Sequence, residues 1–168
     1  MADKYIALIN GIDQEVEGTV IGGDVAQAGD IPALDASGRL DPSLMPVGIV
    51  ADTYDGPAFE TLTATAPFVY IKSDGSVANA SAASGGNPTI GFILANYGTA
   101  ATAKVYFEGR VTGLSGLTVG ARYYLSDATP GGLTATPVSG TGKLHQYLGR
   151  AVSATTLSFE ADDYILRA

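Results

Sequence analysis

Across residues 105–168 turn signals arrive at spacings of roughly eight to twelve residues, which leaves no stretch long enough for a useful helix. Apolar and polar residues alternate through Val105-Tyr106-Phe107-Glu108, and Tyr123-Tyr124-Leu125 forms a short aromatic run; a Gly/Ser/Thr-rich connection separates them. The turn Asp127-Ala128-Thr129-Pro130-Gly131 leads into Gly132-Leu133-Thr134-Ala135-Thr136. Two further strands follow at 146–152 and 156–160, then a last one at 164–166. β-branched and aromatic residues in a period of two, bounded by Gly and Pro, read as strands, and strands at this spacing build a β-sandwich or β-barrel.

The same pattern extends back to residue 47. Strands are expected at 47–51, 58–62, 68–72, 89–95 and 103–109, with a hairpin turn at Ser73-Asp74-Gly75-Ser76. Ile90, Phe92 and Leu94 are expected to share one face. Residues 77–87 are small and polar and read as a mobile surface loop. The expected core is Phe68, Tyr70, Phe92, Leu94, Val105, Phe107, Leu148, Val152, Leu157 and Phe159.

Residues 1–46 have a different character and are read as an extended arm with short strands, leaving 47–168 as the β domain. Tyr5-Ile6-Ala7-Leu8-Ile9 is a candidate strand that stops at the turn pair Asn10-Gly11. A second candidate spans Glu15-Val16-Glu17-Gly18-Thr19-Val20-Ile21. The two can pair as a hairpin, but an isolated hairpin is marginal in water and needs a surface to lie on. From Asp24 to Pro46 the chain carries Pro32, Pro42 and Pro46, each of which holds its preceding residue extended. A segment of that length without its own secondary structure fits a linker better than a compact domain. Ile31, Leu34, Leu40, Leu44 and Met45 are spaced along it as apolar anchors that a purely solvating tail lacks.

Net charge is −8 in 168 residues, and most of it sits early: residues 1–47 hold eight acids against Lys4 and Arg39. An acidic chain with no basic stripe does not suit nucleic acid, because phosphate neutralisation needs clustered Lys and Arg. No stretch approaches the length of an apolar membrane span, and the short run Tyr5–Ile9 is too brief for an export signal. With no cysteine, neither disulfides nor thiolate metal sites are available.

Catalytic constellations fail one by one. His145 is the only histidine, and Gly113-Leu114-Ser115-Gly116-Leu117 lacks the closing glycine of a nucleophile elbow. Gly140-Thr141-Gly142-Lys143 lacks the hydroxyl residue after lysine that a phosphate loop requires. Glu160, Asp162 and Asp163 are an acidic cluster without calcium-loop spacing, read as an exposed turn. Glu60 and Glu108 are nominal paired carboxylates with nothing in the sequence to bring them together. No catalytic residue, cofactor or metal site is assigned.

The succession 109–168, from Gly109-Arg110-Val111-Thr112-Gly113-Leu114 to Asp162-Asp163-Tyr164-Ile165-Leu166-Arg167-Ala168, resembles the C-terminal β domain of tailed-bacteriophage surface proteins, namely capsid decoration (cement) proteins and some fibre proteins. The run Ile31-Pro32-Ala33-Leu34-Asp35-Ala36-Ser37-Gly38-Arg39-Leu40-Asp41-Pro42-Ser43-Leu44-Met45-Pro46 resembles a connector found in the same proteins. The resemblance implies an all-β fold, an extended N-terminal arm followed by a barrel or sandwich of tulip-like type, and a homotrimer on the outer capsid surface. It implies the major capsid protein as partner, with the chain made in the host cytoplasm. Tyr5, Ile6, Leu8, Val16, Val20 and Ile21 would then be the capsid-binding segments, acting by strand addition, with Ile31, Leu34, Leu40, Leu44 and Met45 as arm anchors. The alternative is a tail-fibre or receptor-binding module for a host surface glycan, for which Tyr54, Tyr97, Tyr123, Tyr124 and Tyr147 are the available aromatics. The absence of heptads and repeats argues against a fibre shaft.

Overall fold

A computed structural model describes residues 4–17, 34, 38–40 and 51–168. Every regular element among them is a strand, and the chain separates into two compact units, Met1–Val50 and Ala51–Ala168.

In the first unit β1 (Lys4–Ile9) and β2 (Ile12–Glu17) form an antiparallel hairpin. The loop is the two residues Asn10 and Gly11, with φ of 53° and 79°. Two successive positive φ angles are what a primed turn needs, and Asn-Gly is the pair that reaches them at least steric cost. The turn fixes the register: Ile9 faces Ile12, Ala7 faces Gln14, Tyr5 faces Val16 and Ile6 faces Glu15. Lys4 closes an exposed ion pair to Glu15 at 3.0 Å. The second strand begins earlier than the sequence pattern indicates, because the tight turn starts pairing at once. Val20, Ile21, Ile31, Leu44, Met45 and residues 47–50 of the strand expected at 47–51 lie outside the described residues, and Ala51 is in no strand.

The second unit is a sandwich-like pair of open five-stranded antiparallel sheets, not a closed barrel. One sheet runs β3 (Thr53–Pro57), β7 (Thr102–Tyr106), β6 (Gly91–Phe92), β4 (Phe68–Ile71), β5 (Val77–Asn79). The other runs β10 (Leu133–Thr134), β9 (Arg122–Leu125), β12 (Tyr147–Ser153), β13 (Thr156–Phe159), β8 (Gly109–Val111). A small ribbon joins β11 (Leu144–His145) to β14 (Ile165–Leu166).

The sheets meet over one apolar layer. Phe159 of β13 stacks on Phe68 at 6.0 Å and meets Phe92 edge-on at 5.2 Å. Val111, Leu125, Leu148 and Leu157 fill the rest of that layer. The first sheet is buried on its other face as well, where Val69, Val77, Ile93 and Val105 pack with Ala58 and Leu62. Leu62 and Tyr97 exchange backbone hydrogen bonds that hold this cover in place.

Burial on two faces explains where the structure departs from the expected strands. Ile90, Phe92 and Leu94 do not share a buried face: Phe92 and its neighbour Ile93 are both buried, while Ile90 and Leu94 are exposed. The strand is only two residues long, so alternation does not continue beyond it. Residues 58–62 form no strand; Ala58 and Leu62 make single bridges and the ladder strand is Thr53–Pro57. Residues 77–82 are not a surface loop, and only 83–87 form an exposed turn. Val77, Ala80 and Ala82 are fully buried. Ala80 accepts from Gly131 N–H and donates to Phe68, and Ala82 bonds Ser126 and Leu144. Small side chains let this backbone pass between close neighbours, which is why the segment is poor in large residues. Tyr70 and Phe107 are half-buried, and Val152 is exposed.

The hairpin turn at 73–76 forms where expected. Lys72 N–H donates to Ser76 O, and the Asp74 carboxylate accepts from the Ser76 hydroxyl at 2.6 Å and from its N–H at 2.9 Å. Those bonds hold the Asp74 carboxyl below its ordinary pKa.

Candidate functional site: a polar aromatic cleft on the outer sheet face

β9 alternates Arg122 and Tyr124 outward with Tyr123 and Leu125 inward, as the period of two requires. Its partner β12 breaks that period. Tyr147 faces Tyr124 and Arg150 faces Arg122, so three residues of β12 span what two residues of β9 span. The extra residue is a β-bulge at 148–149. In an unbroken strand, residues three apart point to opposite faces; here both Tyr147 and Arg150 are on the outer side. The bulge uses Gly149, with φ of 149°, and a Cβ there would run into the Ser158 carbonyl. Beyond the bulge the period resumes with Arg150 outward and Ala151 inward, so Val152 points outward and leaves the expected core; a second irregularity lies between Ala151 and Ser153.

Arg122, Tyr124, Tyr147 and Arg150 therefore share one patch, and His145, Glu160 and Asp162 close it into a cleft of about 400 Å³. The 160–162 segment is tied down by backbone bonds, Glu160 N–H to Leu148 O at 2.9 Å and Asp162 N–H to Tyr147 O at 3.2 Å. The Gln146 side chain adds a third, donating to Asp162 O at 3.1 Å. Tyr124 packs edge-on to Tyr147 at 6.0 Å and against the His145 ring at 5.1 Å. The Arg122 guanidinium lies 5.9 Å from the Tyr147 ring centre, within cation–π range. Arg150 donates to Gly120 O at 3.0 Å.

The charges in this cleft do not neutralise one another by contact. Two arginines stand directly opposite across the ladder, an arrangement that costs a sheet stability. Glu160 takes a long 3.4 Å bond from the Ser158 hydroxyl. The ion pairs among the described residues lie elsewhere, at Lys4–Glu15, Lys104–Asp55 and Lys143–Asp127. His145 Nδ1 is buried without a hydrogen-bond partner. Burying such an atom has a cost that a ligand or water can relieve.

Of the other residues singled out, Tyr123 is buried and its hydroxyl accepts from Thr118 N–H, while Tyr54 donates to Gly75 O. Glu60 accepts from Asn79 N–H at 3.0 Å, and Glu108 is exposed between β7 and β8. Lys143 pairs with Asp127 at 2.6 Å, which makes 140–143 a pinned turn and holds the Asp127 carboxyl below its ordinary pKa. No group of three His, Asp or Glu side chains converges as metal ligands among the described residues. Tyr5 and Val16 of the hairpin are half-buried, Ile6 is exposed, and Leu34 and Leu40 are exposed.

Sequence reasoning named Tyr124 and Tyr147 as aromatics and Glu160 and Asp162 as turn acids, but gave Arg122 and Arg150 no role. The alternation in Arg122-Tyr123-Tyr124 was a usable signal. The odd spacing from Tyr147 to Arg150 hid the rest, because only the bulge puts both on one face.

The fold and cleft define a two-sheet antiparallel β domain with a polar, aromatic-walled groove on one outer face. No protein-family model matches the chain, and no curated protein matches it.

Proposed function

We propose that this is a structural virion protein that binds the outer surface of a phage head and stabilises it by bridging neighbouring capsid subunits through its N-terminal arm. The observation that carries the reading is the β1–β2 hairpin: a two-stranded ladder in its own unit, with Ile6 and Ile12 exposed at 75% and 64%. Among the described residues each of its strands has one ladder partner, and strand addition would use the outer edge of either. Exposed isoleucines beside such an edge stabilise the added strand by apolar burial, about 1.5–3 kcal/mol for each side chain fully covered. The resemblance of 31–46 and 109–168 to decoration proteins supports the same assignment, and a homotrimer would multiply modest arm contacts by effective concentration.

Copy number tests this. A near-equimolar ratio of this chain to the major capsid protein in purified particles is the expected result, with loss of head binding when residues 1–46 are deleted. A few copies per particle, or undiminished binding by the truncated chain, overturns it. A second reading, a module that recognises a host surface glycan, draws its support from the cleft.

A further inference from the structure

We propose that the cleft between β9, β12 and the 160–162 segment binds an uncharged pyranose saccharide. The proposal is independent of the arm and gives chemical content to the glycan-recognition reading. The lining supplies two guanidinium donors, Arg122 and Arg150, and two carboxylate acceptors, Glu160 and Asp162. Sugar hydroxyls both donate and accept, so a vicinal diol matches such a set, whereas a phosphate or carboxylate would face Glu160 and Asp162 unfavourably. Tyr124 and Tyr147, edge-on to each other, give the mainly polar lining an aromatic edge for the ring of a sugar, and their hydroxyls add polar groups. The His145 ring lines the cleft beside Tyr124. At about 400 Å³ the cleft lies within the size range of small-ligand sites, roughly 300–1,000 Å³.

Two arginines opposed across a ladder weaken the sheet, and the bulge that brings Tyr147 beside Tyr124 and Arg150 beside Arg122 needs a glycine that tolerates no Cβ.

The test uses the full chain free in solution, followed by NMR of the tyrosine and histidine ring resonances. The probes are methyl α-D-glucopyranoside, methyl α-D-galactopyranoside and, separately, inorganic phosphate. Either glycoside is expected to shift Tyr124, Tyr147 and His145 with saturation in the millimolar range. Asp162→Asn and Glu160→Gln, both at exposed positions that leave the fold intact, are expected to weaken the response about tenfold. Shifts with phosphate alone would make the cleft an anion site and overturn the saccharide assignment. No shift with either glycoside at about 100 mM overturns it as well, since that would leave an affinity too weak for recognition. Unchanged titrations in both variants would place any sugar elsewhere. No head is needed for the experiment, so its failure leaves the arm reading standing, and the reverse holds.

Discussion

Gln146 and Thr89 pair as if they were two strands of a ladder. The Thr89 N–H donates to Gln146 Oε1 at 2.8 Å, and Gln146 Nε2 donates back to Thr89 O at 2.9 Å. Both residues are buried, and the Thr89 hydroxyl lies within hydrogen-bond distance of Val69 O and Gly91 O. A side-chain amide thus completes the backbone accounting of a segment that has left its sheet, and the same amide ties down Asp162 at the cleft.

Replacing Gln146 with Leu leaves the Thr89 N–H and C=O buried without partners, at a cost of about 1–3 kcal/mol each. The expected outcome is a loss of roughly 2–6 kcal/mol in urea unfolding, with the m-value unchanged. A loss below about 0.5 kcal/mol, the range of an ordinary surface change, would mean that water replaces the amide.

Gly149 gives a sharper contrast. A methyl group there meets the Ser158 carbonyl, which is backbone and cannot swing away. Gly149→Ala is expected to cost upward of about 3 kcal/mol and to shift the ring resonances of Tyr124 and Tyr147, because the bulge sets their register. Gly113→Ala is the control: its φ is 81°, but nothing lies within 4 Å of the added carbon, so only backbone strain of about 1 kcal/mol remains. Equal costs for the two would remove the steric argument.

How much of this was legible in the sequence follows from what each feature depends on. The Asn10-Gly11 hairpin, the 73–76 turn and the 127–131 turn depend on local φ preferences and were readable. Fully buried strands were harder. Phe68-Val69 and Phe92-Ile93 put consecutive residues into two different cores, and periodicity cannot distinguish that from a short apolar run. The alanines at 80 and 82 looked like loop because smallness reads as polarity when no contact map is available. The cleft depends on register across a bulge, and register is a property of two strands together. Its aromatics and acids were visible singly; their meeting was not.

Acid should act through two named carboxyls. Asp74 is held below the ordinary carboxyl value of 3.8 by the Ser76 hydroxyl and N–H, and Asp127 by the Lys143 ammonium. A depressed folded-state pKa means the unfolded chain binds the proton more readily. The contribution is therefore present above the unfolded value of 3.8 and lost as pH falls through the folded value. Thermal unfolding between pH 6 and pH 2, read as a range of about four pH units, should show a falling Tm whose slope flattens in Asp74→Asn with Asp127→Asn. An unaltered slope in the double variant would place the acid sensitivity on other carboxylates.

Phe159 and Val152 separate the two possible faces of the bulged strand pair. Phe159 touches Phe68 and Phe92 across the sandwich, so Phe159→Ala opens a cavity between the sheets and is expected to cost about 3–5 kcal/mol. Val152, expected in the core with Leu148, is 45% exposed because the bulge at 148–149 shifts the alternation that follows it. Val152→Ala should then stay within about 0.5 kcal/mol of the parent. Chemical denaturation of the two variants decides the register directly. If Val152→Ala cost as much as a buried valine, roughly 2 kcal/mol or more, β12 would run without its bulge at 148–149, and Tyr147 and Arg150 would no longer share the outer face.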